Sequence, residues 1–404
     1  MIGRDFFKLG NTPTLFAAFL YFDMSFMVWV LLGSLGVAIA KTMGLDAAQK
    51  GLMVAVPVLA GALFRVVNGV VVDRIGPRRA GVISQLIVIG GLLGAWFIGV
   101  HSFAQVLLLG LVLGVAGSSF AIALPLASRW YPAKYQGVAL GIAGAGNSGT
   151  VLASLFAPAL AVAFGWRNVL GLAALPLAAA LLVYLAFAKD SPEQPAPKSA
   201  VDYFSVLRTA DAWWFMLFYA VTFGGFVGLS SSLTIYFNSE YHLGNVVAGF
   251  FTAACVFAGS LFRPIGGALA DRVGGVRTLS AMYLVAATAL AGASFTVPNI
   301  WLAVSILIVG MGALGMGNGA VFQLVPQRFR QEIGVMTGLV GMTGGVGGFY
   351  LASTLGLSKQ LTGSYQAGFL SFACLSLLAF GVLVAVKAGW RARWGGAQLS
   401  PARV

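Results

Sequence analysis

The stretch GALFRVVNGVVVDRIGPRR (residues 61–79) recurs later in the chain as GSLFRPIGGALADRVGGVR (residues 259–277), without a gap and offset by 198 positions. Nine of the nineteen positions are identical, namely Gly61/Gly259, Leu63/Leu261, Phe64/Phe262, Arg65/Arg263, Gly69/Gly267, Asp73/Asp271, Arg74/Arg272, Gly76/Gly274 and Arg79/Arg277. The same offset places GNSG (residues 146–149) on GGVG (residues 344–347). These matches predict a chain built from two similar halves.

The composition around this repeat is that of a membrane protein. Apolar residues make up 59% of the chain and charged residues only 9%, whereas soluble proteins carry about 25% charged residues. Apolar runs of about 20 residues, each long enough to cross a bilayer, recur throughout. Because lipid offers no hydrogen bonds to the backbone, these runs are predicted to be helices.

We predict an all-α membrane protein with twelve transmembrane helices in two six-helix bundles. A pseudo-two-fold axis along the membrane normal relates the bundles, and the substrate site lies between them. A polar, proline-rich segment, KDSPEQPAPKSAVDYFSVLR, separates the halves. The predicted organisation is therefore an N-terminal bundle (1–188), a cytoplasmic linker (189–208) and a C-terminal bundle (209–404). Predicted segments lie near 13–40, 47–72, 80–100, 103–130, 135–164, 168–188, 211–239, 245–270, 278–297, 300–325, 332–358 and 365–388.

Lysine and arginine residues predict the orientation. Placing both termini in the cytoplasm puts eighteen basic residues on that side and four on the other: Lys41, Lys50, Arg167 and Lys359. This bias follows the positive-inside rule and accounts for most of the net charge of +13, so nucleic-acid binding is not expected. Cys255 and Cys374 fall in apolar segments, where neither a disulfide nor a metal site is expected.

The repeated GxxxDRxGxxR pattern resembles the loop motif of the major facilitator superfamily, and it is present in both halves. Asp73 and Asp271 are expected at cytoplasmic helix ends, where each can bond the N-terminus of a neighbouring helix. We interpret these acids and the adjacent Arg74 and Arg272 as gating and structural residues.

Arg65 and Arg263 give the strongest functional signal. Each lies two helical turns before its loop motif, and hence about 12 Å deeper in the membrane. An arginine at the centre of a membrane helix costs about 2.5–3.5 kcal/mol on insertion scales, so such residues are usually functional. The alternative is that a buried carboxylate neutralises each one, and Asp23 is the clearest candidate at that depth.

Two facing guanidiniums suit a small planar oxyanion, because their donor forks bind such groups in a bidentate manner. Nitrate, nitrite, formate-like and oxalate-like anions and phosphate esters all fit this reasoning. The interiors of the apolar segments contain no lysine, and His101 and His242 lie at segment ends. A large phosphorylated substrate would usually need more basic residues than this, so a small anion is favoured.

Two glycine runs, GIAGAGNSG (residues 141–149) and GLVGMTGGVGG (residues 338–348), occupy equivalent helices. Each interior glycine costs a helix about 1 kcal/mol, so this density suggests close helix packing or access of backbone atoms to a ligand. With the paired arginines, the runs resemble the two motifs of the nitrate/nitrite porter family of the major facilitator superfamily. YAVTFGGF (residues 219–226) and GSSFA (residues 117–121) resemble further elements of that family.

This resemblance implies roles for particular residues. Arg65 and Arg263 would clamp the anion, Phe120 and Phe223 would sandwich its plane, and Tyr219 and Asn147 would hydrogen-bond or shape the site. The glycine motifs place Gly146 and Gly344 nearby. Asn318 is a further polar candidate. For Phe26 and Trp29, aromatic packing is the favoured interpretation.

The sequence predicts an inner-membrane nitrate transporter, with nitrite as a further substrate, that works by alternating access. It is expected to be a monomer with no cofactor, metal or enzymatic activity. Asp23 is the candidate coupling residue for proton-driven nitrate uptake. Its alternative role is a polar contact or a partner for Arg65. Nitrate/nitrite antiport, and transport of an organic anion by a member of the same superfamily, remain alternatives. A drug exporter, a membrane sensor and a membrane enzyme are disfavoured because further membrane acids, a soluble domain and a catalytic cluster are missing.

Overall fold

The computed structural model describes residue 6 and residues 9–192, 205–329 and 333–394, and every regular element among them is a helix. Most of the predicted linker, and five of the basic residues counted for orientation (Arg4, Lys8, Lys198, Arg330 and Arg403), lie outside the described residues. In chain order the helices are α1 Thr12–Trp29, α2 Leu31–Ser34, α3 Gly36–Met43, α4 Ala47–Ile75, α5 Pro77–Ile98, α6 Phe103–Gly117, α7 Phe120–Ser128, α8 Ala133–Gly144, α9 Gly149–Phe164, α10 Trp166–Phe187, α11 Ala210–Tyr241, α12 Asn245–Val273, α13 Gly275–Ser294, α14 Ile300–Arg328, α15 Ile333–Thr362 and α16 Gln366–Trp394.

These helices form twelve spans, as predicted. Eleven helical stretches of the described residues are long and apolar enough to cross a membrane, with α6–α7 and α8–α9 each counted once. The first span consists of α1, α2 and α3, which are separated at Val30 and Leu35. A 3₁₀ turn at Ala145–Ser148 joins α8 to α9 and contains the centre of the first glycine run.

The repeated motif contains the turn between the second and third spans of each half. Gly76 ends α4 with φ of 84°, and Gly274 ends α12 with φ of 102°. Only glycine adopts such positive φ values without strain. The glycine that the two halves share is therefore required by the backbone at each turn.

The ends of the bundle can be told apart by their charges. We call the end that carries the loops Arg74–Arg79 and Arg272–Arg277 the basic end, and the other the opposite end. At the opposite end the two halves are in close contact, since a Cβ on Gly51 would lie 2.8 Å from the Cα of Gly356. A Cβ on Gly249 of α12 would lie 2.5 Å from the carbonyl oxygen of Ser154 in α9.

The two halves separate toward the basic end. A Cβ on Gly141 or Gly144 of α8, or on Gly334 or Gly338 of α15, would meet no atom within 4 Å. The spans that contain these glycines, the fifth (α8–α9) and the eleventh (α15), pack tightly from the middle of the bundle to the opposite end. Within the described part of the chain, the bundle is therefore closed at the opposite end and open at the basic end.

Candidate functional site

The Arg65 side chain lies at the contact between the two halves and is 1% exposed. Its Nε atom donates to the Gly117 carbonyl at 3.1 Å, within its own half. Its Nη1 atom donates to the carbonyl of Gly341 on α15, in the other half. The Nη2 atom is buried and has no hydrogen-bond partner. Arg65 thus reaches the interface and retains an unused donor there.

Three aromatic rings surround the Arg65 guanidinium. Its Cζ atom lies 4.9 Å from the ring centroid of Phe223 and 5.3 Å from those of Phe120 and Trp29. Rings at this distance attract a cation through their negative faces. The two phenylalanines expected beside the anion therefore lie next to the arginine, one from each half of the protein.

Arg263 occupies the equivalent place in the second half but is partly exposed. Its Cζ atom lies 5.7 Å from the ring centroid of Phe322, and its buried Nη1 atom has no hydrogen-bond partner. The Phe322 ring also lies 5.8 Å from the ring of Phe120, which faces Arg65, and 5.0 Å from the ring of Tyr219, so aromatic side chains connect the two arginines. The Tyr219 hydroxyl faces Arg263 without a hydrogen bond of normal geometry between them.

No acidic side chain in the described part of the chain lies within 4 Å of either guanidinium. The ion pairs found there join Asp73 to Arg129, Asp211 to Arg328, and Glu240 to Lys359. Asp23 instead accepts a hydrogen bond of 2.7 Å from the Ser148 hydroxyl, beside the 3₁₀ turn. In this conformation Asp23 therefore makes a polar contact with Ser148 and is not an ion-pair partner of Arg65.

Several buried polar atoms of the described residues, at the arginine pair and elsewhere in the bundle, make no hydrogen bond. Besides the guanidinium nitrogens and the Tyr219 hydroxyl, both amide atoms of Asn147 and of Asn318 are buried without a partner. Both asparagines are 0% exposed. A buried polar group without a hydrogen bond costs about 1–3 kcal/mol. Such groups point to a site that receives a polar ligand or water.

The second glycine run shapes this site. A Cβ on Gly344 would lie 2.8 Å from ring atoms of both Phe223 and Tyr219, so glycine makes room for the two stacked rings. A Cβ on Gly341 would make an ordinary contact with Arg65 at 3.5 Å. Gly146 of the first run instead packs on α1, where a Cβ would lie 2.7 Å from Phe22. Its role in substrate binding remains a prediction.

The loop-motif acids lie near the basic end, away from the arginine pair. Asp73 pairs with Arg129 of the fourth span at 3.1 Å, while Asp271 is exposed. The carboxylate of Asp190 accepts a hydrogen bond of 2.9 Å from the Arg78 amide, at the N-terminus of α5. The gating roles of Asp73, Arg74, Asp271 and Arg272 remain predictions.

Two aromatic contacts of the arginines were not predicted from the sequence. Trp29 was expected only to pack, yet it lies over Arg65, and its Nε1 atom donates to the Pro57 carbonyl at 2.7 Å. The sequence signal for this contact is Gly61 of the repeat, because its lack of a side chain makes room for the Trp29 indole. A Cβ on Gly61 would lie 2.8 Å from the indole nitrogen. Phe322 had no signal in the sequence, because a phenylalanine in an apolar helix is unremarkable until its neighbours are known.

Comparison with known proteins identifies the class. The model of the Major Facilitator Superfamily matches residues 15–352. A solved bacterial homologue of the human lysosomal transporter Spinster, inward-facing and unoccupied, superimposes with a TM-score of 0.70 at 19% identity, covering 99% of this chain and all of that one. The chain belongs to the Major Facilitator Superfamily and is a multi-pass membrane transporter.

Curated relatives support the narrower resemblance to nitrate/nitrite porters. The chain is 32% identical over 361 residues to the "Nitrite extrusion protein" of Bacillus subtilis, covering 89% of this chain and 90% of that one. It is 32% identical over 402 residues to the "Probable nitrate/nitrite antiporter NarK1" of Thermus thermophilus, covering 89% and 88%. The resemblance drawn from the paired arginines and the glycine runs is thereby confirmed.

Proposed function

We propose that this protein transports nitrate, with nitrite as a second substrate, and that the anion binds between Arg65 and Arg263. The observation that carries the proposal is the pair of guanidiniums that keep buried, unpartnered nitrogens and make no ion pair with any carboxylate of the described residues. A guanidinium presents two parallel donors to a planar oxyanion. Relatives named for nitrate and nitrite support the same substrates.

The surroundings of the arginines favour a flat monoanion. Phe120 and Phe223 offer apolar faces beside Arg65, and a planar anion can lie between such faces while its edges meet the guanidiniums. Tetrahedral sulfate or phosphate does not match this shape. Binding by one anion also reduces the repulsion between the two cations, which favours closure of the halves around it.

The observed conformation supports a mechanism of alternating access. The halves are closed at the opposite end and open at the basic end. With the basic end in the cytoplasm, as the positive-inside rule predicts, this conformation releases or accepts an anion on the cytoplasmic side. The protein would then lie in a bacterial inner membrane as a monomer, with both termini cytoplasmic.

Proton-coupled uptake is the favoured mode of transport. Asp23 is 6% exposed, makes no ion pair with either arginine, and is held by Ser148 beside the 3₁₀ turn of the fifth span. A carboxylate in that place can take up and release a proton as the turn moves. Exchange of nitrate for nitrite is the second candidate, because relatives include proteins named for antiport and for nitrite extrusion.

Purified protein in liposomes tests these proposals. Vesicles are filled with nitrite or with plain buffer, nitrate is added outside, and a pH gradient is imposed or omitted. Uptake into empty vesicles driven by external acid indicates symport, whereas uptake that requires internal nitrite indicates exchange. Absence of nitrate uptake under every condition would refute the proposed substrate.

A further inference from the structure

Asn318 has a buried side-chain amide that makes no hydrogen bond. Asn318 lies within α14 and is 0% exposed, and neither its Nδ2 nor its Oδ1 atom has a hydrogen-bond partner. A buried amide without partners is destabilising, since the full cost of removing it from water remains. Asn68, by comparison, is buried and donates to Ser118 at 2.5 Å and to Ser84 at 3.3 Å.

The neighbours of Asn318 along α14 show which way it faces. A Cβ on the preceding Gly317 would lie 2.6 Å from the Thr222 side chain of α11. A Cβ on the following Gly319 would lie 2.2 Å from the Arg263 carbonyl of α12. Successive residues of a helix point about 100° apart. Asn318 therefore faces the space between α11 and α12, the helices that carry Tyr219 and Arg263.

Phe322, one turn further along α14, confirms this direction. Residues four apart share a helix face, so Phe322 marks the face of Asn318. The Phe322 ring lies 5.0 Å from the ring of Tyr219, 5.7 Å from the Arg263 guanidinium and 5.8 Å from the ring of Phe120. The face of α14 that carries Asn318 is thus turned toward the arginine pair.

The two halves carry different residues at the position of Asn318. The offset of 198 residues that relates the halves places Asn318 on Phe120. The first half has an apolar ring here, and the second half has an amide. An amide adds donors without a third positive charge, which suits a planar monoanion better than another arginine would.

We propose that Asn318 is a specificity-determining residue whose amide N–H donates to an oxygen of the bound planar oxyanion, on the side of Arg263. The inference rests on the proposed function, because it takes the arginine pair as the anion site. It adds a directional hydrogen bond that depends on the anion's geometry. A spherical anion such as chloride gains less from this bond.

Asn318→Leu in proteoliposomes tests the inference. The KM for nitrate should rise roughly tenfold, the typical effect of losing a hydrogen bond to a charged group. Competition by chloride should become relatively stronger. The melting temperature of the purified variant should equal or exceed that of the wild type, because an unpartnered buried amide has been removed. Asn318→Ala serves as a second variant should leucine not fit.

Asn68→Leu is the matched control, since its amide is hydrogen-bonded within one half. This control should lower the melting temperature and leave the KM of the folded protein unchanged. A KM within twofold of wild type for Asn318→Leu, or a lower melting temperature of both the leucine and the alanine variant, would overturn the inference. Nitrate uptake by the wild type distinguishes the two claims, because its absence refutes the proposed function and not the role of Asn318 alone.

Discussion

The guanidinium of Arg65, in the second span, donates a hydrogen bond to the backbone carbonyl of Gly341, in the eleventh span and the other half of the protein. The same side chain donates to Gly117 within its own half. Two carbonyl oxygens thus position the guanidinium, while Nη2 remains unpartnered. Arg65 is held in place before an anion arrives, and Arg263, which is more exposed, is the more accessible of the two.

Gly344→Ala should impair transport far more than Gly341→Ala, although both lie in the same glycine run. A methyl group on Gly344 would lie 2.8 Å from the rings of Phe223 and Tyr219, whereas one on Gly341 meets Arg65 at an ordinary 3.5 Å. Overpacking of this kind costs about 1–3 kcal/mol. We expect nitrate uptake to fall about tenfold for Gly344→Ala and less than twofold for Gly341→Ala. Equal uptake by the two variants would contradict the role assigned to Gly344.

Gly356→Leu should block closure at the opposite end. Gly356 and Gly51 bring α15 and α4 into backbone contact there, with no room for a side chain. The conformation open at the basic end should therefore become rare, and nitrate uptake should drop by at least about tenfold. Gly90→Leu on α5 is the control, because a Cβ there would meet no atom within 4 Å. Normal uptake by Gly356→Leu would show that the contact is dispensable.

Asp23→Asn should separate proton-driven uptake from exchange. The amide can still accept the hydrogen bond from Ser148, so the local structure should persist. Uptake driven by external acid into empty vesicles should fall to the leak rate, while nitrate uptake into nitrite-loaded vesicles should continue. Asp46→Asn is the control, because Asp46 caps the start of α4 and asparagine caps helices equally well. Undiminished acid-driven uptake by Asp23→Asn would remove Asp23 from the coupling mechanism.

The sequence predicted the helical spans and the arginine pair for clear physical reasons. Helices in lipid must satisfy their own backbone, so apolar length alone locates them. An arginine at membrane depth is costly enough to need an explanation, and the repeat showed that there were two. Gly76 and Gly274 were identifiable because both halves retain them where φ is positive.

The contacts of the site were harder to predict. Nothing in the sequence indicates that Gly341 and Gly117 present carbonyl groups to Arg65, because every residue has a carbonyl. The breaks at Val30 and Leu35 occur in a continuous apolar run without proline. Packing of Gly146 on α1, and the use of Ser148 by Asp23, depend on how the helices are placed against one another.

The central claim is that nitrate binds between two guanidinium forks, and nitrate uptake by Arg65→Lys and Arg263→Lys in proteoliposomes tests it most directly. Lysine keeps the positive charge but lacks the planar pair of donors. Arg167→Lys, at the opposite end, is the control and should transport like the wild type. We expect uptake by each of the two site variants to fall to the rate of protein-free vesicles. Uptake near the wild-type rate by either variant would contradict the clamp.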